Sequence, residues 1–162
     1  MLTDAYIGLG SNLNQPLRQV AAALAQIDEI DQTELQNFSS MYLSRPMGPK
    51  DQPPYVNAVA HVVTRLSPHA LLTHLNRIEN EHGRLRQGEH WGPRTLDLDI
   101  LVYGNLSMND QSLIIPHPGI KYREFVLYPL HEVNKNLMIP RLGLVSRIKS
   151  RRYTNGMRRL QL

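Results

Sequence analysis

Between Trp91 and Leu101 the chain reads Trp-Gly-Pro-Arg-Thr-Leu-Asp-Leu-Asp-Ile-Leu, with Leu96, Leu98 and Ile100 alternating with Asp97 and Asp99. That is the period of a half-buried β-strand. Both carboxylates then leave the same face, with Cα atoms about 6.6 Å apart at ~3.3 Å of rise per residue. Aspartate is a poor strand former, and two adjacent anions repel, so the pattern calls for compensation. Mg²⁺ supplies it naturally, being commonly held by one or two carboxylates together with substrate phosphates. A strand whose polar face is simply wet would account for Asp-x-Asp alone. The surroundings tip the balance towards a metal-bound anionic ligand: Arg94 is placed to grip a phosphate, and Gly92-Pro93 stiffens its approach.

A chain of 162 residues suggests one domain with a sizeable core. Its 41% hydrophobic and 20% charged content is that of a soluble globular protein. No apolar run approaches a membrane span, and Met-Leu-Thr-Asp is not the start of a signal peptide. The absence of cysteine rules out disulfides and thiolate metal sites and makes the cytoplasm the expected compartment. The net charge of +4 is uneven. Seven of the 18 basic residues and none of the 14 acidic ones follow Pro140, so residues 1–140 carry a net −3. The tail is basic; the domain is not.

Tyr6 to Leu9 reads as a short strand broken by Gly10-Ser11-Asn12. Gly8-Leu9-Gly10 lacks the third glycine of a phosphate-binding loop and reads as a tight strand-to-helix turn. A helix follows with Leu17, Val20, Ala21, Leu24 and Ile27 on one face and Pro16 in its first turn. A second strand is expected within Phe38–Leu43. Residues 45–54 contain four prolines and are an ordered loop or a mobile flap. Tyr55 to Thr64 is strand-like, with Tyr55, Asn57, Val59, His61 and Val63 on one face. An aromatic and an amide so spaced suit a flat heterocycle, although ordinary sheet residues look the same.

Ser67-Pro68 starts a helix with an apolar face of Leu71, Leu72, Leu75 and Ile78 that stops at Gly83. Asn76 and Glu79 share another face of it, which a solvated surface would equally explain. Arg84 to His90 is polar and basic, either a solvated loop or a lid over a phosphate. Tyr103-Gly104-Asn105 is a turn, and Leu113 to Ile115 a strand ending at Pro116-His117-Pro118. His117, held between prolines, is suited to meet a phosphate as neutral ring or cation. Lys121 to Leu130 is expected to be helical as far as Pro129, with Arg123 aimed at the same site. Val145 to Met157 is a basic helix or a partly disordered stretch, and no internal repeat is visible.

Gly10-Ser11-Asn12-Leu13, Gly48-Pro49, Asp51-Gln52-Pro53 and Tyr55-Val56-Asn57-Ala58 recur in a known order with Gly83-Arg84, Trp91–Leu101, Pro116-His117-Pro118 and Arg123 with Phe125–Leu130. Over roughly residues 5–140 the chain resembles the 6-hydroxymethyl-7,8-dihydropterin pyrophosphokinase family of folate biosynthesis. The resemblance implies a single-domain α+β, ferredoxin-like antiparallel sheet backed by helices. It implies transfer of pyrophosphate from ATP to the pterin hydroxymethyl group with release of AMP. It implies two Mg²⁺ ions on Asp97 and Asp99, and Arg84 and Arg94 as catalytic cations. Asn76, Glu79, Arg86, Trp91, Ile100, His117 and Arg123 would contact the nucleotide. Ser44, Met47, Tyr55, Asn57 and Phe125 would hold the pterin. ATP and the pterin are the partners implied, for a monomer that engages neither nucleic acid nor membrane.

Arg45, Ser112, Ile114 and Gly119 depart from the family pattern near the ligands. Two other classes share some features. An RNA-binding ferredoxin-like domain would fit the basic tail but lacks the glycine-aromatic signature. A metal-dependent phosphodiesterase would fit the aspartates but needs further ligands beside them. The tail after Pro140 is expected to be peripheral.

Overall fold

The computed structural model describes residues 1–45, 51–83, 95–150 and 157–161. The strands are β1 (Thr3–Ser11), β2 (Thr33–Phe38), β3 (Tyr42–Ser44), β4 (Tyr55–Thr64), β5 (Asp97–Tyr103), β6 (Met108–Asn109), β7 (Ile114–Ile115), β8 (Met138–Ile139), β9 (Gly143–Leu144) and β10 (Arg158–Arg159). The helices are α1 (Pro16–Asp28), α2 (Pro68–Glu81), α3 (Glu124–Val133) and α4 (Val145–Ser150). The main sheet is antiparallel throughout, in the order β10-β3-β4-β1-β5, and β2 also pairs with β4. An antiparallel sheet with segregated helices is the expected α+β, ferredoxin-like arrangement.

Alternation along the central strands sorts the two faces. Ala5, Ile7 and Leu9 of β1, with Val56, Ala58, Ala60 and Val62 of β4, pack against Val20, Ala23, Leu24 and Ile27 of α1 and Leu71, Leu75 and Ile78 of α2. Ala23 joins the α1 stripe, whereas the expected Leu17 and Ala21 are exposed. The N-cap of α2 is as anticipated, Ser67 accepting the Ala70 N–H. On the opposite face Tyr6, Val59, Leu101 and Val102 pack against Ile120, Val126, Leu127, Leu130 and Val145. These residues cover one end of that face; the other end is an open cleft. Among the described residues no helix is long and apolar enough to cross a membrane.

A bulge sets the border between covered and open halves. The β1/β5 register slips between Tyr6 and Ile7, leaving Leu101 as the extra residue, so Leu101 and Val102 both reach the α3 side. The Leu101 carbonyl accepts the His117 N–H at 2.9 Å, which ties the His117 loop to β5.

Several elements differ from expectation. The strand expected at Phe38–Leu43 is the junction of two, β2 and β3. Ser39 replaces regular pairing there: its N–H donates to the Val59 carbonyl and its hydroxyl accepts the Val59 N–H, both at 2.9 Å. Strand β2 is mostly exposed and polar, so it leaves no apolar alternation to read. Gly8 and Gly10 lie within β1, not in a turn; the chain leaves the strand through Asn14 and Gln15, both at positive φ. Helix α3 does not stop at Pro129 but continues to Val133, because Val126, Leu127 and Leu130 bury enough surface to offset the lost hydrogen bond.

The chain after Pro140 is more than a peripheral tail. Val145 is fully buried, Arg158 and Arg159 pair with Leu43 and Tyr42, and the Leu160 N–H donates to the Met41 carbonyl at 2.8 Å. Glu132 of α3 braces the same region. It accepts the Ser40 N–H (2.8 Å) and hydroxyl (2.7 Å) and the Tyr42 hydroxyl. Burial raises its pKa, but the hydrogen bonds from Tyr42 and Ser40 and the charge of Arg159 outweigh that and leave it lowered.

A carboxylate with a lowered pKa stabilises the fold above its unfolded value of about 4.3, and that contribution is lost as pH falls through the folded value. Glu132 is exposed, so solvent screens much of this effect, and Glu132→Gln should cost at most about 1 kcal/mol at neutral pH. Chemical denaturation of both proteins from pH 7 to pH 3 should show the difference shrinking only at the acid end.

Candidate active site

The cleft has a volume of about 230 Å³ and is floored by β1. Gly8 pairs with Asp99 of β5 on one side and Val59 of β4 on the other; Gly10 pairs with Asp97 and Asn57. The missing side chains make the room. A Cβ on Gly10 would rise to 3.3 Å from Asn57 Oδ1, and one on Gly8 to 3.3 Å from Leu101 Cδ2. Glycine weakens a strand interior, and here that cost goes with a groove between carboxylates and amide.

Asp97 and Asp99 are both half-buried on the cleft face, as their spacing requires. Between them, the Leu98 N–H donates to Glu79 Oε2 of α2 at 2.8 Å. Glu79 is 2% exposed, so it is a buried carboxylate that pins the middle of β5. It does not line the cleft, and nor does the half-buried Asn76 one turn earlier. Ile100 is 2% exposed and belongs to the core on the far face of the sheet, so only its backbone could meet a ligand.

At the other end of the floor stand Tyr55 and Asn57 of β4, Ser44 of β3 and Phe125 of α3. Asn57 Nδ2 donates to Ser44 Oγ at 2.6 Å, which leaves Oδ1 turned towards the Gly10 side of the cleft. Asn12, buried just after β1, donates to Gln52 Oε1 (3.0 Å) and the Pro53 carbonyl (2.9 Å), anchoring the residues that lead into Tyr55. Two aromatics, an amide and a hydroxyl around one slot suit a flat, polar-edged heterocycle.

His117 and Arg123 form the remaining wall. Burial, then the Arg123 charge, push the His117 pKa down to about 4, against a smaller upward pull from Asp97. Its Nδ1 accepts the Gly119 N–H at 3.0 Å, so the proton of the neutral ring sits on Nε2. The Arg123 guanidinium lies 5.9 Å from the Phe125 ring centre. It passes over Gly119, where a Cβ would come within 2.7 Å of Nε. The glycine that departs from the family pattern is thus the space that this arginine occupies. Arg45 also lines the rim. Ser112 is engaged elsewhere, its hydroxyl 3.2 Å from Asp110 on the β6–β7 hairpin, and Ile114 is exposed.

One cleft therefore gathers Asp97, Asp99, His117, Arg123, Ser44, Tyr55, Asn57 and Phe125, all named from sequence. Met47, Arg84, Arg86, Trp91 and Arg94 lie outside the described residues. Sequence reading missed the glycine floor, the Leu101 bulge, the Asn12 anchor and the place of Arg45. Only the glycines carried a signal, two of them at period two inside an apolar run. Carboxylate oxygens on one face suit a hard cation, and no group of three or more such ligands exists among the described residues. Such a cation would complete its shell with water and phosphate oxygens.

A carboxylate pair beside an aromatic–amide slot, on one face of an antiparallel α+β sheet, gives the cleft room for a phosphorylated donor next to a flat acceptor. Residues 6–135 match the family model of 7,8-dihydro-6-hydroxymethylpterin-pyrophosphokinase (HPPK), and the chain belongs to that family. It is 51% identical over 147 residues to the 2-amino-4-hydroxy-6-hydroxymethyldihydropteridine pyrophosphokinase of Haemophilus influenzae, covering 91% of each chain. The Pseudomonas aeruginosa protein of the same name is 45% identical over 140 residues, covering 86% of each. Among solved structures, Plasmodium falciparum HPPK-DHPS superposes with a TM-score of 0.78 at 12% identity, over all of this chain and 49% of that one. An HPPK-DHPS in complex with substrates gives 0.75 at 14% identity, over 99% of this chain and 47% of that one. The chain spans about half of those longer proteins, and the likeness to them is one of fold.

His117 should be neutral through the physiological range, its ¹⁵N imidazole signals reporting the Nε2-protonated form and titrating only near pH 4. Because its pKa lies below the unfolded value of about 6.5, the unfolded chain takes up a proton first, and His117 removes stability as pH falls from there towards 4. A titration centred near 6.5 would contradict the buried environment described for this ring.

Proposed function

We propose that the chain transfers the β,γ-pyrophosphoryl group of ATP to the hydroxymethyl oxygen of 6-hydroxymethyl-7,8-dihydropterin, as a monomer serving folate biosynthesis. The hydroxyl oxygen forms a bond to the β-phosphorus, the bond from that phosphorus to the α,β-bridging oxygen breaks, and AMP and a proton leave. The observation that carries this reading is that a single sheet face holds the carboxylate pair and the aromatic–amide slot, separated only by Gly10.

Asp97 and Asp99 would hold two Mg²⁺ ions, which when bound with ATP supply charge neutralisation and alignment of the phosphates. Tyr55 and Phe125 take the two faces of the pterin, and Asn57 reads its edge through Oδ1, with Ser44 fixing the amide. Arg123 contributes a fixed positive charge. Neutral His117 donates a hydrogen bond from Nε2 without adding charge. Arg84 and Arg94 would offset charge developing on the transferred group, with Arg86 and Trp91 towards the nucleotide. This reaction asks for positioning and electrostatic stabilisation more than covalent chemistry from the protein. The cleft is compatible with that demand: His117 Nδ1 is occupied by the Gly119 N–H, and Asp97 and Asp99 would serve as ligands instead of bases.

AMP release from ATP should depend on both hydroxymethyl-dihydropterin and Mg²⁺; AMP formed equally without the pterin would refute the proposed acceptor. Asp97→Asn and Asp99→Asn should each lower turnover on the order of 100-fold or more, with the circular dichroism spectrum unchanged. Tyr55→Ala or Phe125→Ala should weaken pterin binding by roughly 1–3 kcal/mol, by analogy with bases stacked on aromatic side chains. Calorimetry should find ATP binding without pterin almost unaltered; equal losses for the two ligands would place the slot elsewhere.

A further inference from the structure

We infer that the C-terminal strand β10, with the Leu160 that follows it, is a positioning element for the heterocycle end of the cleft. This rests on the pterin reading of Tyr55, Asn57 and Phe125. It concerns a segment beyond residue 135, where the family match ends.

The argument runs through β3. That strand is three residues long, with β4 on one side and β10 on the other. Without β10 it would be a short edge strand leading straight into the proline-rich stretch. Three contacts hold it from the C-terminal side: Arg158 pairs with Leu43, Arg159 pairs with Tyr42, and the Leu160 N–H donates to the Met41 carbonyl at 2.8 Å. Leu160 also packs against the main core cluster.

What β3 carries is Ser44, and Ser44 Oγ accepts the 2.6 Å hydrogen bond from Asn57 Nδ2. An amide side chain exchanges donor for acceptor by rotating half a turn about its last bond. In the structure the bond to Ser44 keeps Nδ2 on the β3 side and leaves Oδ1 towards the cleft. If β3 drifts, Asn57 loses that instruction, and a ligand edge matched to Oδ1 meets a mixture of donor and acceptor.

The second wall is reached as well. Tyr42, 7% exposed, donates its hydroxyl to Glu132 of α3, and Arg159 acts on both of these side chains. Phe125 lies seven residues before Glu132, two turns along the same side of α3. Residues 158–160 thus touch the strand that orients Asn57 and the brace that sets the helix bearing Phe125. A strand serving only to cover a sheet edge would give stability and nothing specific to one ligand.

The test compares the full chain, a chain ending at Met157, and full-length Leu160→Pro, which removes the one N–H that bonds Met41. Calorimetry would measure a non-hydrolysable ATP analogue with Mg²⁺ alone, then hydroxymethyl-dihydropterin in its presence. All measurements would be made well below each protein's melting temperature. Both variants should bind pterin about tenfold more weakly, the size of one lost orienting hydrogen bond, with analogue affinity unchanged. In steady state the KM for pterin should rise more than kcat falls. Leu160→Pro keeps the test valid if the shorter chain fails to fold. Folded variants that bind pterin as the full chain does, or that lose both ligands equally, would overturn the role of β10. A full chain that itself binds no pterin would refute the proposed activity, and this inference with it.

Discussion

The hydrogen-bond ladders on either side of β1 hold Gly10 level with both Asp97 and Asn57, and the two chemistries of the cleft meet across that one residue. A strand paired along both edges, with Ala5, Ile7 and Leu9 in the main core, has no freedom of register, since a slip by one residue would turn them out of it. The same constraint that keeps the core apolar therefore fixes the spacing between carboxylates and amide. The geometry of the cleft floor is a by-product of core packing under the sheet.

Electrostatics within the cleft follow from what is buried beside what. Two aspartates on one strand repel, and they stand half-buried in a cleft that Arg123 also lines. His117 has no such latitude, because burial and the neighbouring guanidinium both disfavour a second proton. The wall is thus one permanent cation and one neutral donor, which keeps positive charge nearly constant with pH. Glu79 shows a different use of a carboxylate: it bonds β5 through Leu98, so that strand is steadied from the helix side as well as through β1.

Much of the site was legible because its residues are local and periodic. Asp97 and Asp99 on one face, Tyr55 and Asn57 on another strand, and Ser67 as a helix cap need only the geometry of a single element. Misreadings occurred where a distant partner decided the outcome. Pro129 reads as a stop until Val126, Leu127 and Leu130 are seen packed in the core. Phe38 to Leu43 reads as one strand until the Ser39 hydroxyl is seen to take a ladder bond from Val59. Glu79 reads as a solvated helix residue until it is found 2% exposed beneath β5.

By itself the sequence determined the period of each central strand, the family, and which side chains could carry the chemistry, because residue type and short-range spacing suffice for these. Only the tertiary structure decided that Gly8 and Gly10 form a floor, that Gly119 is room for Arg123, and that the basic C-terminal end returns to the sheet as β10. Each of those is a relation between residues far apart in the chain. A missing Cβ means nothing until a neighbour is close enough to need the space, and an edge strand has no pattern until another strand's unpaired N–H and C=O groups select it.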